Sequence, residues 1–145
     1  VAVRATRKPP EHLVGTELGT ITASLYASER YLKGRKANAP ESFDWIAPDD
    51  SLAEHPSVAW RRAQFPDVVP RVRCNSILGV ADAVKAGLGV GIAPDFLMRG
   101  VAGVRALQSR IAALDIGLWA LAHPDVRHLR RVKALFEFLK ERVEP

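Results

Sequence analysis

The chain has 145 residues, 48% of them hydrophobic and 26% charged. That is the make-up of a chain able to bury a core of its own, and it sets disorder aside. No stretch approaches the roughly 18 to 20 consecutive apolar residues of a membrane span, the opening VAVRATRKPP carries no signal-peptide core or cleavage site, and no membrane partner and a cytoplasmic location are expected.

Val1 to Arg4 is short, apolar and β-branched and reads as a strand. The chain lacks an initiator Met and opens inside this strand, so it reads as a fragment of a longer protein. Pro9-Pro10 stops the strand, because proline fixes φ and cannot donate to a ladder. Two further strands are expected over Leu13 to Leu18 and Thr20 to Ala27, with Gly19 allowing a bend between them. Ser28 is placed to cap a short helix, SERYLKGR, that ends at Gly34. Lys36 to Ser42 reads as loop and Asp44 to Ala47 as a short strand. In DDSLAEHPSVAWRRAQF, Asp50 or Ser51 offers a cap, and His55-Pro56 divides or restarts the helix before Trp60. A strand over Val69 to Cys74 follows.

The clearest helix spans Ile77 to Leu88, where Ile77, Val80, Ala81, Val84 and Leu88 fall on one stripe, with Asn75 or Ser76 as its cap. Val90 to Ala93 reads as a buried strand, and Pro94 leads into a brief helical segment around Phe96 and Leu97. Residues 99 to 113 are weakly patterned. Ile116 to Ala122 reads as a strand, followed by a long closing helix capped by Asp125. On it Leu129, Val132, Phe136, Leu139 and Val143 recur at spacings of three and four. The alternation of strands and helices predicts an α/β fold with a largely parallel sheet.

Several motifs have a plain structural explanation. Gly87-Leu88-Gly89-Val90-Gly91 resembles a phosphate loop, but it ends a helix and enters a strand. A nucleotide fingerprint runs the other way, so these glycines read as a helix C-cap with tight packing on the sheet. His12, His55, His123 and His128 lack zinc-ligand spacing, and no metal or other cofactor is expected. No nucleophile elbow is present, and no catalytic residue is assigned. Cys74 reads as a buried strand cysteine rather than a nucleophile. The net charge of +5 raises nucleic acid as a partner, but Arg61, Arg62, Arg71 and Arg73, and Arg127, Arg130, Arg131 and Lys133, are not interleaved with aromatics. They read as solvated surface. Asn75 and Ser76 leave two readings open. They are a plain N-cap, or they form, with the first N–H groups of the helix, a small site for a carboxylate or other anion, and one residue can do both.

Taken together, several segments resemble the effector-binding domain of LysR-type transcriptional regulators. VAVR is similar to the family's Asp-Leu-Ala-Ile-Arg strand end, and LVGTELG with LYASERYL to the segment crossing between its two subdomains. VRCNSILGVADAVKAGLGVGIAPDFL resembles the family's strand, helix and strand ending in Ala-Gly-Leu-Gly-Ile-Ala and a proline. LWALAHPDVRHLRRVKALFEFL resembles its closing strand, His-Pro pair and last helix. The resemblance implies a periplasmic-binding-protein-like (type 2) fold with two α/β subdomains and an effector cleft. Residues 1–24 and 110–145 would form an incomplete first subdomain, and residues 25–109 the second. It also implies Asn75 and Ser76 as effector contacts, with Arg4, Ala5 and Thr6 on the opposite lip. The implied partners are a small polar or anionic effector and further copies of the chain, as a dimer or a tetramer in the full-length protein. DNA would be reached only through an N-terminal winged helix-turn-helix that this chain lacks. The rivals are an enzyme or a transporter's solute-binding protein on the same two-lobed fold, and a structural remnant with no working cleft.

Overall fold

The computed structural model describes residues 1–143, so the last two residues of the expected 110–145 segment lie outside the described residues. The chain divides into two compact units: Val1–Ile21 together with the segment from Asp115 onward, and Thr22–Leu114. Ser24 and Arg110, taken from the sequence as edges of the first subdomain, fall inside the second unit.

The first unit is built on β1 (Ala2–Thr6), β2 (Val14–Ile21) and β8 (Ile116–Ala122), in the order β1-β8-β2 with both pairs antiparallel. Gly19 does not separate two strands as expected. It lies inside β2 at a register shift after Glu17, a bulge that absorbs one residue, and the break falls at Thr22. After β8 the chain forms α5 (Pro124–Arg127) and α6 (Arg130–Arg142) rather than one helix capped by Asp125. The His123 ring nitrogen accepts from the Asp125 N–H and caps α5, while Leu129, extended at φ −64° and ψ 135°, restarts the helix. The stripe persists across the break: Val132 is buried, and Leu129, Phe136, Leu139 and Val143 are half-buried.

The second unit holds β3 (Ala23–Ser28), β4 (Trp45–Pro48), β5 (Val72–Cys74), β6 (Val90–Pro94) and β7 (Val104–Gln108), in the order β5-β4-β6-β3-β7. Only β5, β4 and β6 run parallel; β3 is antiparallel to both β6 and β7. The expectation of a largely parallel sheet is corrected here, and the reason is the connections. Parallel neighbours need a crossover, usually a helix, and only α2 (Pro56–Gln64) between β4 and β5 and α3 (Ile77–Lys85) between β5 and β6 provide full-length ones. The helix before β4, α1 (Glu29–Leu32), is one turn long and is capped by Ser28 as expected. Strand β7, at the edge, carries no strand signal in the sequence: its five residues have no clean apolar alternation, and its pairing with β3 sets it. A last short helix, α4 (Asp95–Met98), follows β6.

Two apolar clusters fill this unit. One gathers Leu25, Ala27, Tyr31, Trp45, Val90 and Ile92; the other packs Val80, Ala81 and Val84 of α3 against Ile46 and Ala93. Leu88, expected on the buried stripe, is exposed, because α3 stops at Lys85. Gly87 turns the chain at φ +78°, with Gly87 N–H donating to the Val84 carbonyl and Leu88 N–H to the Ala83 carbonyl. That is a Schellman stop, which needs a left-handed residue here. Gly91 lets the helix sit close on the sheet: a Cβ there would lie 2.9 Å from a Val84 methyl. Both findings match the C-cap reading of the glycine run.

Candidate functional site

Strand β5 ends at Cys74, and the next two residues, Asn75 and Ser76, are exposed. Ser76 is extended, and its Oγ accepts from the Gly79 N–H at 2.9 Å, so of the two candidate caps Ser76 is the one that caps α3. Its carbonyl takes the Val80 N–H at 3.1 Å. The N–H groups of Ile77 and Leu78 have no intrahelical acceptor, and the helix dipole adds partial positive charge there. Asn75 is left as a polar side chain beside them.

The neighbouring loop is tied to this turn, since Asp49 N–H donates to the Cys74 carbonyl at 2.8 Å. Asp49 Oδ1 accepts from the Ser51 N–H at 2.9 Å and its hydroxyl at 2.5 Å. Asp49, rather than Asp50 or Ser51, therefore caps the short helix that follows, and the Ser51 bonds hold its carboxyl below the usual range. Arg73 pairs with Asp50 at 2.5 Å. With one cation and two carboxylates around it, the turn offers directed N–H donors rather than net positive charge. Burial pushes the half-buried Cys74 thiol up, away from thiolate chemistry.

Arg4, Ala5 and Thr6 lie on β1 of the first unit, paired with Trp119, Leu118 and Gly117 of β8. The side chains of Arg4 and Ala5 are exposed. Thr6 is occupied: its hydroxyl donates to the Lys8 carbonyl at 2.9 Å and accepts from the Lys8 N–H at 3.2 Å. Asn75 and Ser76 thus form one group, and Arg4, Ala5 and Thr6 another.

A polar cluster in the second unit was missed. Asp95 accepts from the hydroxyls of Thr22, Ser24 (2.6 Å) and Tyr26 (2.7 Å), and its own N–H donates to the Thr22 carbonyl. Ser24 Oγ also accepts from the Arg110 N–H at 2.9 Å, where Arg110 holds a left-handed φ of +40°. Burial opposes ionisation of Asp95, yet the three hydroxyls together hold its carboxyl below the usual range. Burial and Asp95 push the Tyr26 phenol up to about 12. The sequence signal was legible: Thr22, Ser24 and Tyr26 alternate along one strand face, and an acid follows Pro94. Thr22 opens the unit and Arg110 lies close to its end, so one carboxylate fastens both ends of this stretch of chain. Among the described residues, no group of three or more His, Cys, Asp or Glu is placed to hold a metal ion.

Two α/β units joined by two passages of the chain define a periplasmic-binding-protein-like fold of type 2. The family profile of the LysR substrate binding domain matches residues 1–144, and the chain belongs to that family, the effector-binding regulatory domains of LysR-type transcriptional regulators. That places it with the regulatory domains of transcription factors. Among solved structures, it is similar to the regulatory domain of CrgA, a LysR-type regulator from Neisseria meningitidis. The identity is 18% and the TM-score 0.74, over 98% of this chain and 74% of that one. The effector domain of AmpR from Pseudomonas aeruginosa is 14% identical with a TM-score of 0.67, over 96% and 68%. Full-length AphB of Vibrio cholerae is 16% identical with a TM-score of 0.68; the match covers 96% of this chain and half of that one. No curated protein sequence matches the chain significantly.

Proposed function

We propose that this chain senses a small polar or anionic effector, bound at the turn formed by Asn75 and Ser76, with Arg4, Ala5 and Thr6 as further contacts. The observation that carries this reading is the exposed Asn75-Ser76 pair at the head of a nine-residue helix whose first N–H groups are open to a ligand. With Asp49 and Asp50 close by, recognition rests on directed hydrogen bonds more than on bulk charge.

Residues 1–21 with the segment from Asp115 would be the first effector subdomain, and residues 22–114 the second. Effector binding would act by population shift, favouring one arrangement of a homo-oligomeric, cytoplasmic regulator that grips DNA through a separate N-terminal domain. No helix among the described residues is long and apolar enough to cross a membrane. The domain itself would perform no catalysis.

A thermal-shift panel of small carboxylates and polar metabolites tests the reading, run on the chain and on Asn75→Ala and Ser76→Ala. Ser76→Ala loses a cap worth about 1 kcal/mol, so the quantity compared is the ligand-induced shift and not the melting temperature itself. A shift that disappears in both variants supports the site. One that survives in both removes it.

A further inference from the structure

Helix α3 has two ends, and its far end carries a different chemistry. There Arg30, Tyr31 and Arg35 of the α1 region meet Asp44, Arg71 and Gly87 around a surface depression of about 400 Å³. Arg30 and Arg35 also line an adjoining depression of about 680 Å³ with Lys33, Arg105 and one carboxylate, Glu29. Asp44 and Arg71 precede β4 and β5, whereas Asn75 and Ser76 follow β5, so the two places lie at opposite ends of the same parallel strands.

This far end is organised around a buried tyrosine. Tyr31 is 6% exposed; its phenol accepts from the Asp44 N–H at 2.8 Å and donates to Asp44 Oδ2 at 3.2 Å. The Arg35 guanidinium lies 4.2 Å from the centre of the Tyr31 ring and donates to the Tyr31 carbonyl at 2.6 Å. Arg71 donates to Asp44 Oδ1 at 3.0 Å, which holds the Asp44 carboxyl below its usual range. Arg30 reaches the Ala86 carbonyl at the C-terminus of α3, countering the negative end of that dipole. It does so over Gly87, where a Cβ would lie 3.0 Å from its guanidinium. Each arginine thus spends a donor on fixing its own position and keeps the remainder of a five-donor fork. Three cations face one carboxylate.

We propose that this end of the second unit is a separate binding site for a small dianion, a phosphate monoester or a dicarboxylate. Forked guanidiniums recognise both groups bidentately. The Tyr31 stack and the Asp44 pair pre-set Arg35 and Arg71, which lowers the ordering cost of binding. The site does not rest on the Asn75-Ser76 reading.

The test is a ¹⁵N NMR titration of the 145-residue chain with inorganic phosphate at pH 8 and, separately, succinate, at ionic strength held constant with sodium chloride. The expected result is saturable shifts at the amides of Arg35, Asp44, Arg71 and Gly87. The pair Arg35→Gln and Arg71→Gln should weaken the affinity by about tenfold or more, and Arg35→Lys with Arg71→Lys, which keeps charge but loses the forks, by less. Asn75→Ala should change nothing. Saturation by inorganic phosphate alone assigns the site to phosphates, and by succinate alone to dicarboxylates. Shifts reproduced by sodium chloride, an affinity equal in the glutamine pair, or silence with both anions would each overturn the proposal.

Discussion

The second unit closes two apolar clusters, around Trp45 and around Val84, whereas the hydrophobic residues buried in the first unit are Ala120, Leu121, Ala122 and Val132 among those described. Exposed large hydrophobics do not separate the units: the first leaves Val1, Val3, Leu135 and Phe138 exposed and the second Val69, Leu78, Leu88 and Phe96. The three-stranded antiparallel sheet of the first unit gains ladder hydrogen bonds but little burial, and burial is the larger source of stability. In the second unit the crossover helix α3 brings an apolar stripe of Val80, Ala81 and Val84 onto the sheet. Local stability should therefore differ sharply along one chain.

The largest effect is expected at the centre of the richer core. Trp45→Ala should cost about 4 kcal/mol, the range for emptying a large buried aromatic site, read from the urea midpoint. A loss no larger than that of Phe136→Ala, whose ring is half-buried on α6, would erase the contrast. Hydrogen exchange sharpens it further: amides of β4 and β6 should exchange at least about tenfold more slowly than those of β1 and α6.

Next comes Asp95. Replacing it with Ala strands the hydroxyls of Thr22, Ser24 and Tyr26, and a part-buried carboxylate hub of this kind is worth about 3 kcal/mol. The distinguishing readout is local: exchange should accelerate at residues 22–26 and 108–114 before it does in α3. Uniform acceleration would make Asp95 one more core contact rather than the fastener of this stretch.

The smallest effect is the pH response of His55. Its ring caps α2 through the Ser57 N–H and contacts the Ser57 hydroxyl at 2.8 Å, and burial pushes its pKa below the ordinary 6.5. The unfolded chain therefore binds the proton more readily. The contribution of this group is complete above pH 6.5 and is lost as pH falls from there through the lowered folded value. His55→Asn keeps a capping side chain and should flatten that part of the stability profile; an unchanged profile would remove His55 as its source.

The same contrast governs what could be read from the sequence. Helix α3 was legible because its burial repeats at helical spacing, and its glycine stop because Gly87 needs a left-handed backbone. The cap reduced to Ser76 once φ and ψ were known. Strand β7 and the bulge at Gly19 were not legible, because each is set by a partner distant in sequence, β3 and β8. The antiparallel course of β3 was hidden for the same reason. The break at Leu129 is a local change of backbone that the continuous apolar stripe masks. Of the residues proposed for effector binding, Asn75 and Ser76 carried a physical signal of their own as short polar side chains before an apolar helix. Arg4, Ala5 and Thr6 came from the family resemblance alone. The Asp95 cluster had a signal in its alternating hydroxyls, but its acid lies about seventy positions away.

The most direct test of the sensing role is a ¹⁵N NMR spectrum of the chain with whichever panel compound gives the largest thermal shift. The amides of Asn75, Ser76, Ile77 and Leu78 are expected to move first and saturate together. Saturating shifts confined to other parts of the chain, with these four amides still, would contradict it.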